Sequence, residues 1–255
     1  MKAISLQSGS NGNCIYVEAG GARLLFDAGI SGKQAQLRLA AHGRDINDVD
    51  AVLVSHDHSD HSRCLGIYQR KFSLSAHVTA KTLDAAQRRC SLGKMHDVNH
   101  FQAGDTLYFG KVSVETVPTP HDGADGVAFV VDDGRRRLGI LTDLGHVFSE
   151  LEAVIESLDA VFIESNYNRK MLEEGPYPRF LKDRIQGSGG HLSNTEAAEL
   201  LLHHGGRRLK TAYLAHLSGD NNSPEIAMNV HKKILGDRLA LHVTSRHEAT
   251  GVLEV

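Results

Sequence analysis

The stretch Ser55-His56-Asp57-His58-Ser59-Asp60-His61 directly follows the apolar run Ala51-Val52-Leu53-Val54, and together they decide the fold. Such a short apolar run is typical of a buried β-strand. In the loop that leaves the strand, two imidazoles can bind one divalent ion, while a carboxylate and a further imidazole bind a neighbouring ion. A polar surface loop in a chain with 16 His is the alternative, but chance rarely places ligand spacing directly after a strand. The sequence therefore predicts a two-metal hydrolytic site.

The spacing His56-x-His58-x-Asp60-His61 resembles the hallmark motif of the metallo-β-lactamase superfamily, and this resemblance implies three further ligands, each where a later strand stops. The pairs of strand and ligand are Val112 to Val117 with His121, Leu138 to Leu141 with Asp143, and Thr211 to Ala215 with His216. A single His or Asp after a strand is usually a cap or a turn residue, so each one alone is weak evidence. Because the three come from separate strands, their side chains can converge at one edge of a sheet. In series they support the metal site.

The same resemblance extends to the fold and to the grouping of the ligands. This resemblance implies one α/β domain over residues 1–255, with two sheets between layers of helices in the four-layer αββα sandwich. It also implies which residues bind metal. The first ion is assigned to His56, His58 and His121, the second to Asp60, His61 and His216, and Asp143 bridges them. Nitrogen and oxygen ligands suit zinc, manganese and iron alike, so two divalent ions are predicted without a choice of metal.

Length and composition are typical of a single globular domain. A chain of 255 residues can bury a large core, and the sequence has no signal-peptide pattern and no apolar stretch long enough to span a membrane. We therefore expect a cytoplasmic protein without a membrane partner. Cys14, Cys64 and Cys90 are odd in number and lack paired metal-finger spacing, which favours reduced thiols. Nothing in the sequence specifies an oligomeric state.

Hydrophobic periodicity and capping signals predict an alternation of strands and helices. Strands are predicted at residues 3–7, 14–18, 22–26, 51–54, 74–77, 112–117, 127–131, 138–141, 160–164, 211–215 and 239–244. Helices are predicted at residues 33–42, 63–71, 79–92, 149–157 and 194–204, and one more begins at Ser223-Pro224. Ser31 is the expected N-cap of the first helix, and Ser193 to Glu196 form a capping-box pattern.

Further segments resemble one branch of this superfamily, the YycJ/WalJ proteins, which are bacterial 5′-to-3′ exonucleases acting on double-stranded DNA. The segments are Ser8 to Cys14, Phe26 to Lys33, Glu164 to Asn166, Gly175 to Pro178, Gly190 to Asn194 and Leu214 to Ser218. The resemblance covers nearly the whole chain and implies an exonuclease that uses metal-activated hydroxide. A small-molecule phosphodiesterase or another binuclear metallo-hydrolase is the alternative, because the ligands suit phosphate esters, lactams and thioesters alike. A metal-binding sensor without turnover is a third hypothesis.

Two residues are assigned catalytic roles. Asp60 is expected to orient the hydroxide besides binding metal, and His191 to assist the departing oxygen or clamp a phosphate. His191 follows the glycine-rich stretch 187–190, where backbone can approach a ligand closely. A histidine just before a helix can instead bond to backbone as part of the cap. His146 is equally open between a supporting partner of the metal site and a surface residue.

Two segments are predicted to contact nucleic acid. The polar turn at residues 8–13 can point backbone N–H groups at a phosphate, although a plain hairpin turn fits as well. A basic group on nearby turns of a predicted helix precedes His191. The candidate substrate residues in the two segments are Ser10, Asn11, Asn13, Arg179, Lys182 and Arg184.

The overall charge gives little support for a nucleic-acid partner. A net charge of −3 does not by itself indicate a DNA-binding protein. With no Trp and 5% aromatic residues, a stacking platform for single strands is not expected. Because single strands would need such a platform, we predict contacts with the backbone of double-stranded DNA instead.

Overall fold

The computed structural model describes residues 1–255 as 14 β-strands and nine α-helices. The strands are β1 (Lys2–Gln7), β2 (Cys14–Ala19), β3 (Ala22–Phe26), β4 (Ala51–Leu53), β5 (Ser75–Thr79), β6 (Val98–Phe101), β7 (Thr106–Phe109), β8 (Val112–Pro118), β9 (Val127–Asp132), β10 (Arg137–Leu141), β11 (Ala160–Glu164), β12 (Thr211–Ala215), β13 (Ala240–Val243) and β14 (Leu253–Glu254). The helices are α1 (Gly32–Ala41), α2 (Ser59–Ser62), α3 (Leu65–Phe72), α4 (Ala80–Arg89), α5 (Ser149–Ser157), α6 (Arg169–Glu174), α7 (Arg179–Gln186), α8 (Asn194–His204) and α9 (Pro224–Leu235). None of these helices combines the length and the apolarity needed to cross a membrane.

Two mixed sheets of seven strands pack face to face. The first has the strand order β14-β1-β2-β3-β4-β5-β6, and the second has the order β13-β12-β11-β10-β9-β8-β7. Successive side chains of a strand point to opposite faces, so Leu24 and Phe26 of β3 enter the core between the sheets whereas Leu25 faces the helices. Across this middle core, the ring centroids of Phe26 and Phe129 are 5.1 Å apart.

Helices cover the outer face of each sheet. Buried side chains of α1, α3 and α4, among them Leu39 and Tyr68, join the outer face of the first sheet in one core. Those of α5, α8 and α9, among them Ile155 and Leu201, do the same for the second sheet. The layers therefore follow the order helix, sheet, sheet, helix, which confirms the predicted αββα fold class.

The helix starts agree with the capping signals in the sequence. The N-caps accept hydrogen bonds from backbone N–H groups three residues later, in the pairs Ser31 with Gln34, Ser193 with Glu196, and Ser223 with Ile226.

The helix predicted over 79–92 is too long, because the backbone becomes extended at Cys90, with φ −133° and ψ 142°. Strands β6, β7 and β14 and helices α2 and α6 have no counterpart among the predicted elements. In β7 the residues alternate only between exposed and half-buried, so its sequence shows no buried apolar face.

The strand directions bring the candidate ligands to one edge of the two sheets. Strands β3 to β6 run parallel to one another, and so do β10 to β13. The carboxyl ends of parallel strands meet at the same edge of a sheet, which is where ligand sites form. The loop after β4 is tied to the second sheet, because the Val127 N–H donates to the Ser55 carbonyl at 3.0 Å. The loops that leave both sheets at this edge can therefore build one site.

Candidate metal centre

Three histidines form the first candidate metal site. His56 and His58 lie in the loop after β4, and His121 lies in the loop after β8. One ring nitrogen from each falls within 4.8 Å of the others, and Nδ1 of His58 is 3.2 Å from Nε2 of His121. Three nitrogen lone pairs at this spacing suit a zinc-like ion.

The opposite ring nitrogens of His56 and His121 have partners that fix their tautomers. His121 Nδ1 donates to the carbonyl oxygen of Gly190 at 2.8 Å. Ser55 Oγ donates to Asp27 Oδ1 at 2.8 Å and therefore accepts from His56 Nδ1, which is 3.0 Å away. In both rings the Nε2 atom is left with the lone pair that binds metal.

Asp60, His61 and His216 form the second candidate site. Asp60 Oδ2 lies 3.5 Å from His61 Nε2 and 3.4 Å from His216 Nε2. The two Nδ1 atoms donate to buried carboxylates, His61 to Asp27 at 2.7 Å and His216 to Glu164 at 3.0 Å. Both Nε2 atoms consequently keep a lone pair, although that of His61 also lies 2.9 Å from the amide nitrogen of Asn13.

Asp143 lies between the two groups. Its Oδ1 atom is 3.6 Å from His121 Nε2 in the first group, and its Oδ2 atom is 3.2 Å from His61 Nε2 in the second. Burial opposes ionisation of this carboxyl, but His216, His61 and His121 outweigh it and hold its pKa below the usual value. Asp143 is therefore a charged group in a bridging position.

Unpaired atoms and proton affinities both fit the binding of divalent metal ions. His56 Nε2 and Asp143 Oδ2 are buried and have no hydrogen-bond partner, which costs free energy unless a cation binds them. Burial, reinforced by neighbouring histidines, holds the pKa of His56 well below its ordinary value, so that ring is neutral. Burial also lowers the pKa of His216, but the Asp143 carboxylate and two further carboxylates raise it to about 10. The carboxylates of the cluster therefore stabilise a positive charge. A bound metal ion supplies that charge when it displaces the proton of His216.

Left-handed backbone helps to aim three of these side chains. Asp27, Asp143 and His216 have φ values of 67°, 60° and 56°. Each follows the end of β3, β10 or β12 by one or two residues. Positive φ is uncommon for residues other than glycine and clusters at functional sites. The chain therefore turns sharply where the strand ends, and the side chain enters the site.

Glu164 joins a candidate ligand to the candidate catalytic histidine. Its buried carboxylate accepts from His191 Nδ1 at 2.8 Å and from His216 Nδ1 at 3.0 Å through the same oxygen, Oε1. Its Oε2 atom accepts the backbone N–H groups of Leu144 and Leu192. Burial raises the pKa of Glu164, but the two histidines together hold it well below the ordinary value. His191 thus bonds to a carboxylate at the site, whereas the helix cap beside it is formed by Ser193.

An open cavity of about 540 Å³ lies against these groups. One part of its wall is polar and includes His58, Asp60 and His191. Another part is apolar, with Leu181 and Ile185 from α7. The catalytic candidates therefore face a space that solvent and substrate can enter.

The polar turn at residues 8–13 lines the cavity through the exposed Ser10 and contacts the metal ligands through the buried Asn13. Ser10 is exposed and lines the cavity. Asn11 donates to the carbonyl oxygen of Arg246 at 2.8 Å. Asn13 accepts the N–H of Gly9 at 2.8 Å, and its Nδ2 atom lies 3.3 Å from Asp60 Oδ2. Of the three candidate substrate residues in this turn, only Ser10 faces the cavity.

The three predicted basic residues of α7 have different surroundings. Arg179 is exposed and pairs with Glu173 and Asp183. Lys182 is nearly buried, and its Nζ atom donates to the Glu173 carbonyl. Arg184 lines the cavity. The helix therefore directs one of the three towards the metal centre.

Sequence reasoning assigned no role to Asp27, Glu164 or Asp122. Asp122 Oδ1 lies 3.4 Å from His58 Nε2, and both carboxylate oxygens accept from Arg184. Their positions could have indicated a role at the site. Asp27 and Glu164 occur at the ends of strands on the edge where the ligands lie, and Asp122 directly follows the ligand His121. His146, whose role the sequence left open, has its Nδ1 atom 2.8 Å from the Ser188 carbonyl oxygen.

Comparison with known protein families agrees with this geometry. A family model described as Beta-lactamase superfamily domain matches residues 22–216. The exodeoxyribonuclease WalJ of Streptococcus pneumoniae is 37% identical over 226 residues, which make up 87% of this chain and 83% of that protein. The exodeoxyribonuclease YycJ of Bacillus anthracis is 36% identical over 233 residues, or 91% of this chain and 88% of that protein.

Solved structures show the same fold at lower identity. The metallo-β-lactamase-fold protein YhfI from Bacillus subtilis matches with a TM-score of 0.74 and 16% identity over the full length of both chains. Zn²⁺-bound PqqB from Methylobacterium extorquens matches with a TM-score of 0.73 and 16% identity, again over both full chains. These two similarities bear on the fold alone.

Proposed function

The chain belongs to the beta-lactamase superfamily, and we propose that it is a metal-dependent exonuclease that removes nucleotides from the 5′ ends of double-stranded DNA. The observation that carries the proposal is the convergence of the candidate metal ligands beside one open cavity. The ligands are His56, His58, Asp60, His61, His121, Asp143 and His216. The names of the two relatives, both exodeoxyribonucleases, support DNA as the substrate class.

The proposal includes two divalent metal ions, and zinc, manganese and iron are all compatible with the nitrogen and oxygen donors. When bound, such ions lower the pKa of water and offset the charge of a phosphodiester. The chain's own residues fix the orientation of the candidate ligands. Asp27 and Glu164 accept the Nδ1 protons of His61 and His216, and so keep the Nε2 lone pairs directed at the ions.

His191 is proposed to protonate the departing oxygen. Protonated His191 carries a second N–H, on Nε2, while its Nδ1–H remains bonded to Glu164 at 2.8 Å. The carboxylate stabilises the positive ring and fixes its orientation, as a carboxylate does for the histidine of a catalytic triad. Asp60 is proposed to orient the attacking water, because its Oδ2 atom lies beside the Nε2 atoms of His61 and His216.

Two arginines support a substrate with a phosphate backbone. Arg89 and Arg184 both line the cavity, and each is held by an acid, Asp57 and Asp122 respectively. Fixed guanidinium groups beside a metal centre suit phosphate oxygens, with which arginine makes paired hydrogen bonds.

The test uses three substrates with metal-loaded protein. These are a 5′-phosphorylated duplex labelled separately at each end, the matching single strand, and methyl p-nitrophenyl phosphate. We expect mononucleotides from the 5′ ends of the duplex, little cleavage of the single strand, and loss of activity in Asp143→Asn. Turnover of the small diester without cleavage of either DNA would contradict the nuclease proposal and favour a small-molecule phosphodiesterase. No turnover of any substrate by metal-loaded protein would favour a sensor.

A further inference from the structure

One aromatic side chain lines the cavity where α7 begins, and a second lies in the first turn of that helix. Tyr177 lines the cavity just before the helix, together with Leu181 and Ile185 from the helix itself. Phe180 lies in the first turn of α7, four residues before Arg184, which also lines the cavity. Residues four apart share one side of a helix, so Phe180 lies on the same side of α7 as Arg184, although Phe180 does not itself line the cavity.

Tyr177 is held in place, whereas Phe180 is free. The Tyr177 hydroxyl donates to Asp220 Oδ2 at 2.6 Å, and its ring packs on a small apolar cluster that includes Leu172 and Ile185. Phe180 is not part of that cluster, and 74% of its surface is exposed. The first ring is therefore pre-positioned, and the second has its apolar surface available to a ligand.

Phe180 differs in location from the other exposed large apolar residues. These are Leu37 on α1, Ile67 on α3 and Tyr108 on β7. None of those elements contributes to the apolar wall of the cavity, whereas α7 does. Single exposed apolar residues are common on proteins, so position beside the site is what singles out Phe180.

We propose that Tyr177 and Phe180 form a nucleobase subsite, in which the base of the nucleotide next to the scissile phosphate stacks on these rings. This inference rests on the proposed nuclease function and adds where the base is bound. With the phosphodiester at the metal ligands, the polar wall meets the phosphate and the apolar wall of the same cavity remains for the base. Every base has a π-face, so the subsite tolerates any sequence. The low aromatic content disfavours a long stacking platform, but one base needs only one or two rings.

The experiment compares Phe180→Ala with Tyr108→Ala, a matched control with 75% exposure on a strand outside the cavity. Each protein is assayed on a duplex with a normal 5′-terminal nucleotide and on the same duplex with an abasic one. We expect Phe180→Ala to raise KM on the normal end by about 5- to 150-fold, the effect of losing one stacked base. It should cause no loss on the abasic end, and Tyr108→Ala should match the wild type on both. Equal effects of Phe180→Ala on the two ends, or none on either, would overturn the subsite.

A second pair of variants tests the held ring. Tyr177→Phe keeps the aromatic face but loses the hydrogen bond to Asp220, and Tyr177→Ala loses both. We expect Tyr177→Phe to remain within about threefold of the wild type on the normal end, and Tyr177→Ala to lose at least as much as Phe180→Ala. Melting curves of all variants separate unfolding from lost stacking. A folded Tyr177→Ala with wild-type KM would remove Tyr177 from the subsite and overturn the proposed pair.

Small diesters separate failure of the subsite from failure of the nuclease proposal. Thymidine 5′-(p-nitrophenyl phosphate) carries a base, and methyl p-nitrophenyl phosphate does not. A wild-type preference for the thymidine ester that Phe180→Ala abolishes supports the subsite, even if DNA itself is not cleaved. DNA cleavage that is unaffected by Phe180→Ala, with no preference for the thymidine ester, would overturn the subsite and leave the nuclease proposal standing.

Discussion

Replacing Glu164 by Gln tests how strongly one buried carboxylate supports the site. The substitution preserves the shape of the side chain and exchanges one acceptor oxygen for an NH₂ donor. Four donors meet the wild-type carboxylate, namely the Nδ1–H groups of His191 and His216 and the backbone N–H groups of Leu144 and Leu192. Whichever way the amide is turned, its NH₂ faces two of them.

The two orientations have different costs. If the NH₂ faces Leu144 and Leu192, two buried N–H groups lose their acceptor at about 1–3 kcal/mol each, so the free energy of unfolding falls by about 2–6 kcal/mol. If it faces the histidines, His216 must move its proton to Nε2, where it blocks metal binding. Loss of such a supporting hydrogen bond typically lowers metal affinity by about 10- to 100-fold. We therefore expect Glu164→Gln to lose stability, bound metal or both.

Denaturant unfolding with metal in excess and with chelator measures the first cost, and elemental analysis after dialysis measures the second. Glu254→Gln is a suitable control, because its side chain lies on a strand of the first sheet and is 76% exposed. The control should match the wild type in both assays. A Glu164→Gln protein with wild-type unfolding free energy and wild-type metal content would refute the reasoning.

Four further predictions address the metal, the chemistry, the substrate and the fold. Fully loaded protein should contain about two divalent ions per chain, and Asp143→Ala should lower the metal occupancy of both sites. Elemental analysis that finds no metal in the wild type would contradict the metal assignment. His191→Ala should keep its metal yet cleave DNA about 10²- to 10⁴-fold more slowly. If His191 is a general acid, the variant should hydrolyse a nitrophenyl diester almost normally, whereas loss of a phosphate clamp would slow the cleavage of both substrates. Arg184→Ala should weaken DNA binding and flatten its salt dependence, measured by fluorescence anisotropy, while Arg179→Ala should have a smaller effect because that side chain lies outside the cavity. Burial lowers the pKa of His231 from 6.5 to about 4, so its contribution to stability is complete above pH 6.5 and is lost as the pH falls towards 4. His231→Leu should remove up to roughly 3 kcal/mol of the pH dependence of the unfolding free energy, measured by denaturant titrations at several pH values.

The candidate ligands could be found from the sequence because the loop after β4 resembles a family motif, and the further ligands that the family implies occur where later strands stop. Asp143 and His216 occur where apolar segments stop, and parallel strands bring such positions to one edge. The αββα layers were implied by the resemblance to the superfamily, and the predicted alternation of strands and helices is compatible with them. The role of Glu164 depends instead on β11 lying between β10 and β12. That order places its carboxylate beside His216, which follows β12, whereas His191 reaches it from the loop before α8. Neither strand order nor the path of a loop is encoded in local patterns.

Charge patterns were less informative than apolar ones. Arg179, Lys182 and Arg184 are similar in sequence, yet folding pairs Arg179 with acids on the surface and turns Lys182 inward. Which of them reaches the cavity depends on the direction of α7 and on the partner acid Asp122 from another loop. The spacing of the charges shows that they share a helix, but the neighbours of that helix determine what each charge contacts.

The candidate ligands come from both sheets, and this gives metal a thermodynamic role beyond chemistry. His56 and His61 leave β4 in the first sheet, while His121 and His216 leave strands of the second. An ion that binds only the assembled edge adds RT ln(1 + [M]/Kd) to the unfolding free energy, about 4 kcal/mol at a thousandfold excess over Kd. The melting temperature of the chain should therefore report free metal concentration. Ranking metals by that shift would identify the preferred ion without a substrate.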